Sequence, residues 1–136
     1  MRISTKPSVY CIDVLNLVRR GECATPGDDD TGIRGLLALL EAAAASLHPS
    51  SEFRLFLDGG GRRLPVRAGY GVSVHFSEGE SADELILDAA RYLKSAGRRA
   101  VVVSSDMELL GLAREEGVKC VECDAFLSFC RRAAGR

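Results

Sequence analysis

Three short apolar runs that each finish in an aspartate are the feature that most restricts the fold of this chain. Residues 10–13 end in Asp13, residues 53–58 end in Asp58, and residues 100–106 end in Asp106. Runs rich in Val, Leu and Ile are typical of strands that are buried on both faces, as in parallel sheets. Because the carboxyl ends of parallel strands lie at one edge of the sheet, the sequence predicts a row of carboxylates along that edge.

Helical patterns separate these runs, with apolar residues recurring at the helical period between the predicted strands. The expected order is a strand to Asp13, a polar loop over 21–32, a helix from Ile33 to a stop at Pro49, a strand to Leu57, a strand over 72–76, a helix over 82–96, a strand over 100–103, a helix over 107–115, a strand over 118–121 and a helix over 125–132. Strands that alternate with helices imply right-handed crossovers and helices on both faces of the sheet. We therefore expect an α/β protein with three α/β/α layers and a mostly parallel five-stranded sheet in the order 3-2-1-4-5.

The composition agrees with one globular domain over residues 1–136. Of these residues 46% are apolar and 27% are charged, which is enough for a single buried core. The first residues contain no apolar targeting segment, and no run approaches the length of a membrane span. We therefore expect a cytoplasmic protein.

Five cysteines give a chain without an export signal an odd number of thiols, so a disulfide framework is not expected. Cys120 and Cys123 have the spacing of a zinc-binding pair, but the chain offers neither a second such pair nor an adjacent histidine. Cys120 falls in a predicted strand and Cys130 in a predicted helix. Buried thiols are therefore favoured over a zinc site.

A fourth aspartate, Asp83, opens the helix after the third predicted strand and can lean over the same edge as the other three. In the order 3-2-1-4-5, Asp58, Asp13 and Asp106 would stand in a row at roughly 5 Å per strand. Carboxylates this close repel one another unless a cation lies among them. Ligand sets made only of oxygen select Mg²⁺ or Mn²⁺, which keep most of their water and also bind substrate phosphate.

The same acids have a structural alternative. Ser81 and Ser105 each stand three residues before a glutamate, which is the spacing of a capping box, so Asp83 and Asp106 could simply be acids of a first helical turn. Asp58 directly precedes three glycines, where an aspartate is common as a turn residue. Asp13 is harder to explain in this way, because the apolar run continues after it. The joint placement of the four favours a shared acidic site.

The motifs at these positions, taken in order, resemble the NYN domains, which are PIN-like ribonucleases, and most of all their YacP-like branch. The residues that carry the resemblance are Asp13-x-x-Asn16, Asp58, Glu80-Ser81-Ala82-Asp83 and Ser104-Ser105-Asp106. It extends from about Val9 to Phe129 and implies a PIN-like α/β/α fold with metal-dependent RNA cleavage.

The resemblance also implies roles for single residues. Asp13, Asp58, Asp83 and Asp106 would be the catalytic and metal-binding acids. Asn16 would support the site or contact substrate, and Ser105 would orient the neighbouring carboxylate. Val14 and Leu15 depart from the family pattern, in which a small residue and an aromatic residue occupy these places.

The mechanism expected from these residues is phosphodiester hydrolysis with one or two Mg²⁺ or Mn²⁺ ions. The ions would lower the pKa of a bound water and neutralise the charge that develops on the phosphate oxygens. Arg34, Arg62 and Arg63 are the candidates to hold the RNA backbone, and the substrate is expected to be single-stranded or otherwise flexible RNA. His48 and His75 are expected to be structural.

Three alternatives remain beside this one. A PIN-like module can bind RNA or a protein partner without catalysis. An acid-rich crevice also suits a phosphatase that forms an aspartyl phosphate, but Leu15 and Gly60 stand where such enzymes need a second aspartate. A chain of this length could also act as a toxin or as one subunit of a homodimer.

Overall fold

The computed structural model describes residues 6–20, 29–47, 50–58 and 71–135 of the chain. The strands are β1 (Val9–Asp13), β2 (Glu52–Asp58), β3 (Val72–Ser77), β4 (Ala100–Val103) and β5 (Lys119–Val121). The helices are α1 (Val14–Arg20), α2 (Asp29–Ala44), α3 (Ala82–Ser95), α4 (Met107–Glu115) and α5 (Cys123–Ala134).

The five strands form one sheet in which every neighbouring pair is parallel. Their order is β3-β2-β1-β4-β5, as predicted. β1 is central, and all of its residues are buried because it has a strand on each side and helices on both faces. Asp13 lies opposite Phe56 of β2, and Ile12 lies opposite Val103 of β4. This register brings the end of β1 beside the segment that follows β4.

Side chains of β1 alternate between two cores, one on each face of the sheet. Tyr10 and Ile12 pack with α1, α2 and α5. Val9 and Cys11 pack with α3 and α4. The period of two in the strand and the apolar stripe of each helix therefore give the three layers that the sequence predicts.

The helix α1 is the main difference from the expected secondary structure. No helix was expected between the strand that ends at Asp13 and the loop over 21–32. In the structure the chain turns into a helix directly after Asp13, because that carboxylate accepts a hydrogen bond from the backbone N–H of Asn16 and so caps the first turn. Val14, Leu17 and Val18 then fall on one buried face.

The ends of α2 and α5 differ from the predicted ones by a few residues. α2 begins at Asp29, ahead of the expected Ile33, and its last residue is Ala44. Pro49 lies outside the described residues, as does His48. α5 begins at Cys123 rather than at residue 125. No helix of the described residues is long and apolar enough to cross a membrane.

The two cysteines with zinc-like spacing face different surroundings. The Cys120 thiol is near the carbonyl oxygens of Leu110 and Val118, while Cys123 Sγ lies 3.3 Å from Asn16 Oδ1. Cys11 and Cys130 are buried, and burial raises the pKa of each thiol to about 12. Both therefore stay protonated at neutral pH.

Candidate functional site

Asp13 lies at the carboxyl end of the central strand, and only 9% of it is exposed. Its carboxylate accepts a hydrogen bond from Ser104 Oγ at 3.2 Å and another from the Asn16 backbone. The pKa of this carboxyl is raised to about 6, first by burial and then by the negative charge of Asp83, with a smaller contribution from Asp58. The two hydrogen bonds oppose this rise but do not cancel it. Asp13 is therefore a buried acid whose ionised form is disfavoured by burial and by neighbouring negative charges.

Asp58 ends β2 and is exposed at the same edge. Its Oδ1 accepts a hydrogen bond from the backbone N–H of Ala82 at 2.8 Å and one from Ser77 Oγ at 3.3 Å. Ala82 is the first residue of α3, so this carboxylate lies at the positive end of the helix dipole. The contact fixes the start of α3 above the end of β2.

Asp83 is the residue that connects the acids electrostatically. It is the second residue of α3 and is half-buried. Burial raises the pKa of its carboxyl first, followed by the charges of Asp106, Asp58 and Glu108, and its side chain is within hydrogen-bonding reach of Asp106. The charges of Asp106, Asp58 and Glu108 therefore act on Asp83, and the charges of Asp83 and Asp58 act on Asp13.

Asp106 is the N-cap of α4. Its Oδ1 accepts hydrogen bonds from the backbone N–H groups of Glu108 at 3.0 Å and Leu109 at 3.5 Å. The expected capping box led by Ser105 is therefore wrong, because the aspartate itself is the cap. Ser81 is the N-cap of α3, since its Oγ accepts the Glu84 N–H at 3.2 Å.

A hydrogen-bond network joins the end of β1 to the segment after β4. The side-chain oxygen of Asn16 accepts the backbone N–H of Ser105 at 2.7 Å and lies 3.4 Å from Ser104 Oγ. Ser104 Oγ also accepts the backbone N–H of Asp106 at 3.1 Å. Asn16 therefore connects the start of α1 to the segment after β4.

Ser104, rather than Ser105, contacts a carboxylate of the site. Ser105 Oγ instead accepts the backbone N–H of Cys123 at 3.1 Å and so connects the start of α5 to this segment. Ser104 is fully buried. The strand register places it there, because Ile12 pairs with Val103 and the next residue of each segment therefore lies beside the other.

The predicted substrate-binding arginines and the histidines have mixed outcomes. Arg34 is exposed on α2, and Arg62 and Arg63 lie outside the described residues. The His75 ring stacks on Phe56 at a centroid distance of 5.1 Å, and its Nε2 is 3.0 Å from Ser73 Oγ. Burial lowers the pKa of this imidazole, which favours the neutral form. These contacts agree with a structural role for His75.

The predicted metal site has suitable donor atoms, but the described side chains do not form a ligand group. In the described ranges, no group of three or more His, Cys, Asp or Glu side chains is arranged so that it could hold a metal ion. The donor type nevertheless suits a hard dication, because all four side chains offer carboxylate oxygens, and burial together with neighbouring negative charge raises the pKa of Asp13 and Asp83. Mg²⁺ needs only one or two protein carboxylates beside its waters and a substrate phosphate. The donor set fits such an ion, although these side chains do not form a closed coordination shell.

Comparison with known proteins identifies the fold. No protein-family model matches the chain, and no curated protein matches its sequence. Among solved structures it is similar to Rae1 (YacP) from Bacillus subtilis, with a TM-score of 0.75, 14% identity, and 96% of this chain covering 76% of that one. A mutant of the same protein gives a TM-score of 0.74 at 16% identity, with 96% and 79% covered. The α/β fold expected from the YacP-like resemblance is confirmed.

Proposed function

We propose that this chain is a metal-dependent ribonuclease that hydrolyses RNA phosphodiester bonds at Asp13, Asp58, Asp83 and Asp106. The observation that carries the proposal is the Asp13 carboxyl, which is buried among other acids and has a pKa raised to about 6. Each pKa unit corresponds to about 1.4 kcal/mol of lost stability for the ionised form. A fold that needed only a helix cap at this position would not require an acid at that cost.

The metal would be held by carboxylates of this cluster. A bound Mg²⁺ or Mn²⁺ would lower the pKa of a water molecule and neutralise charge on the phosphate oxygens. The same ion would also offset the repulsion that raises the pKa of Asp13 and Asp83. Fold and electrostatics support this reading together, since the chain resembles NYN ribonucleases in its motifs and Rae1 (YacP) in its fold.

Three of the four aspartates are held in place by hydrogen bonds. Ser104 and the Asn16 backbone hold Asp13, the Ala82 backbone holds Asp58, and the start of α4 holds Asp106. Side chains fixed in this way lose little freedom when an ion or a phosphate arrives, which is the advantage of a preorganised site.

Helix N-termini add a second feature that favours phosphate. α1 begins directly after Asp13, α3 begins at the backbone N–H that contacts Asp58, and α4 is capped by Asp106. Each N-terminus carries a partial positive charge that stabilises anions. The edge therefore combines carboxylates for a cation with helix dipoles for the anion that accompanies it.

RNA is the proposed substrate because of the resemblance to NYN ribonucleases. Arg34 is exposed on α2, where its guanidinium is available to contact a phosphate. Arg62 and Arg63 remain proposed contacts. The chain has no tryptophan and 6% aromatic residues, so backbone contacts rather than base stacking should dominate binding.

The test is a cleavage assay on labelled single-stranded RNA with Mg²⁺ or Mn²⁺. Asp13→Asn and Asp83→Asn should each lower the rate by about a hundredfold or more, because metal-ion catalysis contributes several kcal/mol to the barrier. Asp88→Asn is the matched control, since Asp88 lies on the outer surface of α3 and is paired with Arg91. Undiminished cleavage by both site variants would reject the proposal.

A second candidate is a module that binds RNA or a protein partner without cleaving. It is favoured by the capping roles of Asp13 and Asp106, and by the absence of a three-ligand metal group in the part of the chain that the structure describes. The same assay separates the two. Saturable RNA binding with no cleavage under either ion would support the binding module and reject the nuclease.

A further inference from the structure

We infer that Ser77 is a positioning residue of the acidic edge and that it acts through Asp58. Ser77 is the last residue of β3 and is only 3% exposed. Its Oγ donates a hydrogen bond to Asp58 Oδ1 at 3.3 Å. This role rests on the proposed metal site, because Asp58 is one of the proposed ligands.

The burial of the Ser77 hydroxyl is the first observation. Apart from tyrosine and cysteine, the buried polar or charged residues of the described ranges are Ser8, Asp13, Ser77 and Ser104. Three of them lie at the carboxyl edge. Each of the two serines there donates to the aspartate that ends the neighbouring strand, Ser104 to Asp13 and Ser77 to Asp58. A buried hydroxyl is costly without a partner, so its contact with a carboxylate stabilises it in this place.

Asp58 joins the two ends of the turn that leads from β3 to α3. The Ser77 hydroxyl reaches its Oδ1 from the end of β3, and the backbone N–H of Ala82 donates to the same oxygen at 2.8 Å from the start of α3. Residues 78–81 between these two contacts are all exposed. A turn without buried side chains has little packing of its own to hold it. The two hydrogen bonds therefore fix where α3 begins.

Asp83 takes its position from the start of α3, because it is the second residue of that helix. Its charge acts on Asp13, and the charges of Asp106 and Asp58 act on it. A shift of the helix start would change the distance from Asp83 to all of these carboxylates. The Ser77 hydroxyl therefore affects the placement of two acids, one directly and one through the helix start.

The two hydrogen bonds also decide which oxygen of Asp58 remains for a metal ion. Both bonds that this side chain receives from the described residues fall on Oδ1, which leaves Oδ2 for a ligand. Mg²⁺ binds proteins through one or two carboxylates and keeps several waters. A ligand that is held in one orientation by a partner binds its metal more tightly, and the loss of such a partner typically costs about tenfold or more in metal affinity.

The test is calorimetric titration of the full chain with Mn²⁺ in buffer without RNA. Ser77→Ala should weaken the binding of Mn²⁺ by about tenfold, because the proposed ligand Asp58 loses a partner. Ser77→Thr keeps a hydroxyl and should restore most of this loss. Ser73→Ala is the matched control, since it removes a hydroxyl of the same strand that contacts His75 and no carboxylate. Its affinity for Mn²⁺ should equal that of the wild type.

A purely structural role for Ser77 predicts a different result. Ser77→Ala would then unfold at a lower temperature in metal-free buffer, while the folded variant would bind Mn²⁺ as tightly as the wild type. Cleavage of labelled RNA adds a second readout. If Ser77 positions a metal ligand, the rate of Ser77→Ala should approach that of the wild type at high Mn²⁺, with a midpoint displaced by about tenfold.

The outcomes separate this inference from the nuclease proposal. Equal Mn²⁺ affinity in the wild type and Ser77→Ala, or equal losses in Ser77→Ala and Ser73→Ala, would overturn the role of Ser77 and leave the metal site in place. No saturable binding by the wild type would reject both. Weaker binding by Ser77→Ala, together with no RNA cleavage by the wild type, would support the role of Ser77 and reject the nuclease.

Circular dichroism checks that each variant is folded. If Ser77→Ala does not fold, Ser77→Thr and Ser77→Val repeat the comparison, because these two side chains have nearly the same size and only the first carries a hydroxyl. Weaker binding of Mn²⁺ by Ser77→Val than by Ser77→Thr supports the positioning role, and equal binding overturns it.

Discussion

The aspartates at the carboxyl edge and the acids on the outer surface of α3 and α4 are stabilised in opposite ways. Arg91 binds Asp88 on its own helix and Glu116 at the end of α4, so that outer group is neutralised by protein cations. Within the described residues, no lysine or arginine forms an ion pair with Asp13, Asp58, Asp83 or Asp106, whose partners are backbone N–H groups, hydroxyls and one another.

The difference shows what each group of acids is suited to do. An outer ion pair is already complete and contributes little to stability. Within the described ranges the edge group has no cationic partner and lies close to three helix N-termini, and burial followed by the charges of neighbouring acids raises the pKa of Asp13 and Asp83. Surfaces that keep such repulsion at a loss in stability are typical of functional sites. Three changes test this comparison, in order of decreasing effect.

The largest effect is expected for Asp13→Asn. Because the pKa of Asp13 in the folded chain, about 6, lies above its ordinary value of 3.8, the folded state binds this proton more tightly than the unfolded state does. The stability of the wild type should therefore fall as the pH rises from about 4 to above 6, by up to roughly 3 kcal/mol. Asn carries no charge, so the variant should lack this decline and be more stable than the wild type at pH 8.

Chemical denaturation of both proteins in metal-free buffer across that pH range measures this difference. The two proteins should have similar stability near pH 4, where Asp13 is protonated, and diverge as the pH rises. Parallel curves for wild type and variant would show that the Asp13 carboxyl is not in the repulsive environment described above.

A smaller effect is expected for Ser104→Ala. The change removes the hydroxyl that donates to Asp13 and accepts the Asp106 N–H, both in a fully buried position. We expect a loss of about 1–2 kcal/mol at pH 8, because the Asp106 N–H loses its Ser104 acceptor and Asp13 keeps only its hydrogen bond from the Asn16 backbone. Ser95→Ala is the control, since that hydroxyl donates to the Tyr92 carbonyl at the exposed end of α3. Equal losses in the two variants would remove any special role for Ser104.

The smallest effect is expected for Asp88→Asn. The pair that Asp88 forms with Arg91 is exposed and open to screening by salt. Thermal unfolding of this variant should coincide with that of the wild type within experimental error, both at low and at high salt. A change as large as that of Asp13→Asn would erase the contrast between the two groups of acids.

Most of the fold was predictable from the sequence because its signals are local. The apolar runs before Asp58 and around Val101, together with Gly97 and Gly117 at helix ends, defined the strands and crossovers, and the handedness of crossovers left one compact order for the sheet. The placement of Asp13, Asp58 and Asp106 at the ends of neighbouring strands followed from that order. It was a consequence of topology rather than of any single motif.

The remaining details depended on contacts that sequence patterns do not encode. α1 is seven residues long, too short for a clear helical period, and its start depends on the cap that Asp13 provides. The cap of α4 was assigned to Ser105 rather than to Asp106, because both residues have side chains that can cap a helix. The position of Ser104 beside Asp13 follows only from the strand register. The distances between the carboxylate oxygens depend on side-chain rotamers, which the sequence does not specify.

The most direct test of the central claim is the binding of Mn²⁺ to the folded chain, measured by calorimetry in the absence of RNA. The wild type should bind one or two ions saturably, and Asp88→Asn should do the same. Asp13→Asn should weaken the binding by about tenfold or more, because it removes a charged ligand from a cluster that the ion neutralises. No saturable binding by the wild type, or equal affinity in Asp13→Asn, would contradict the assignment of a metal site to this edge of the sheet.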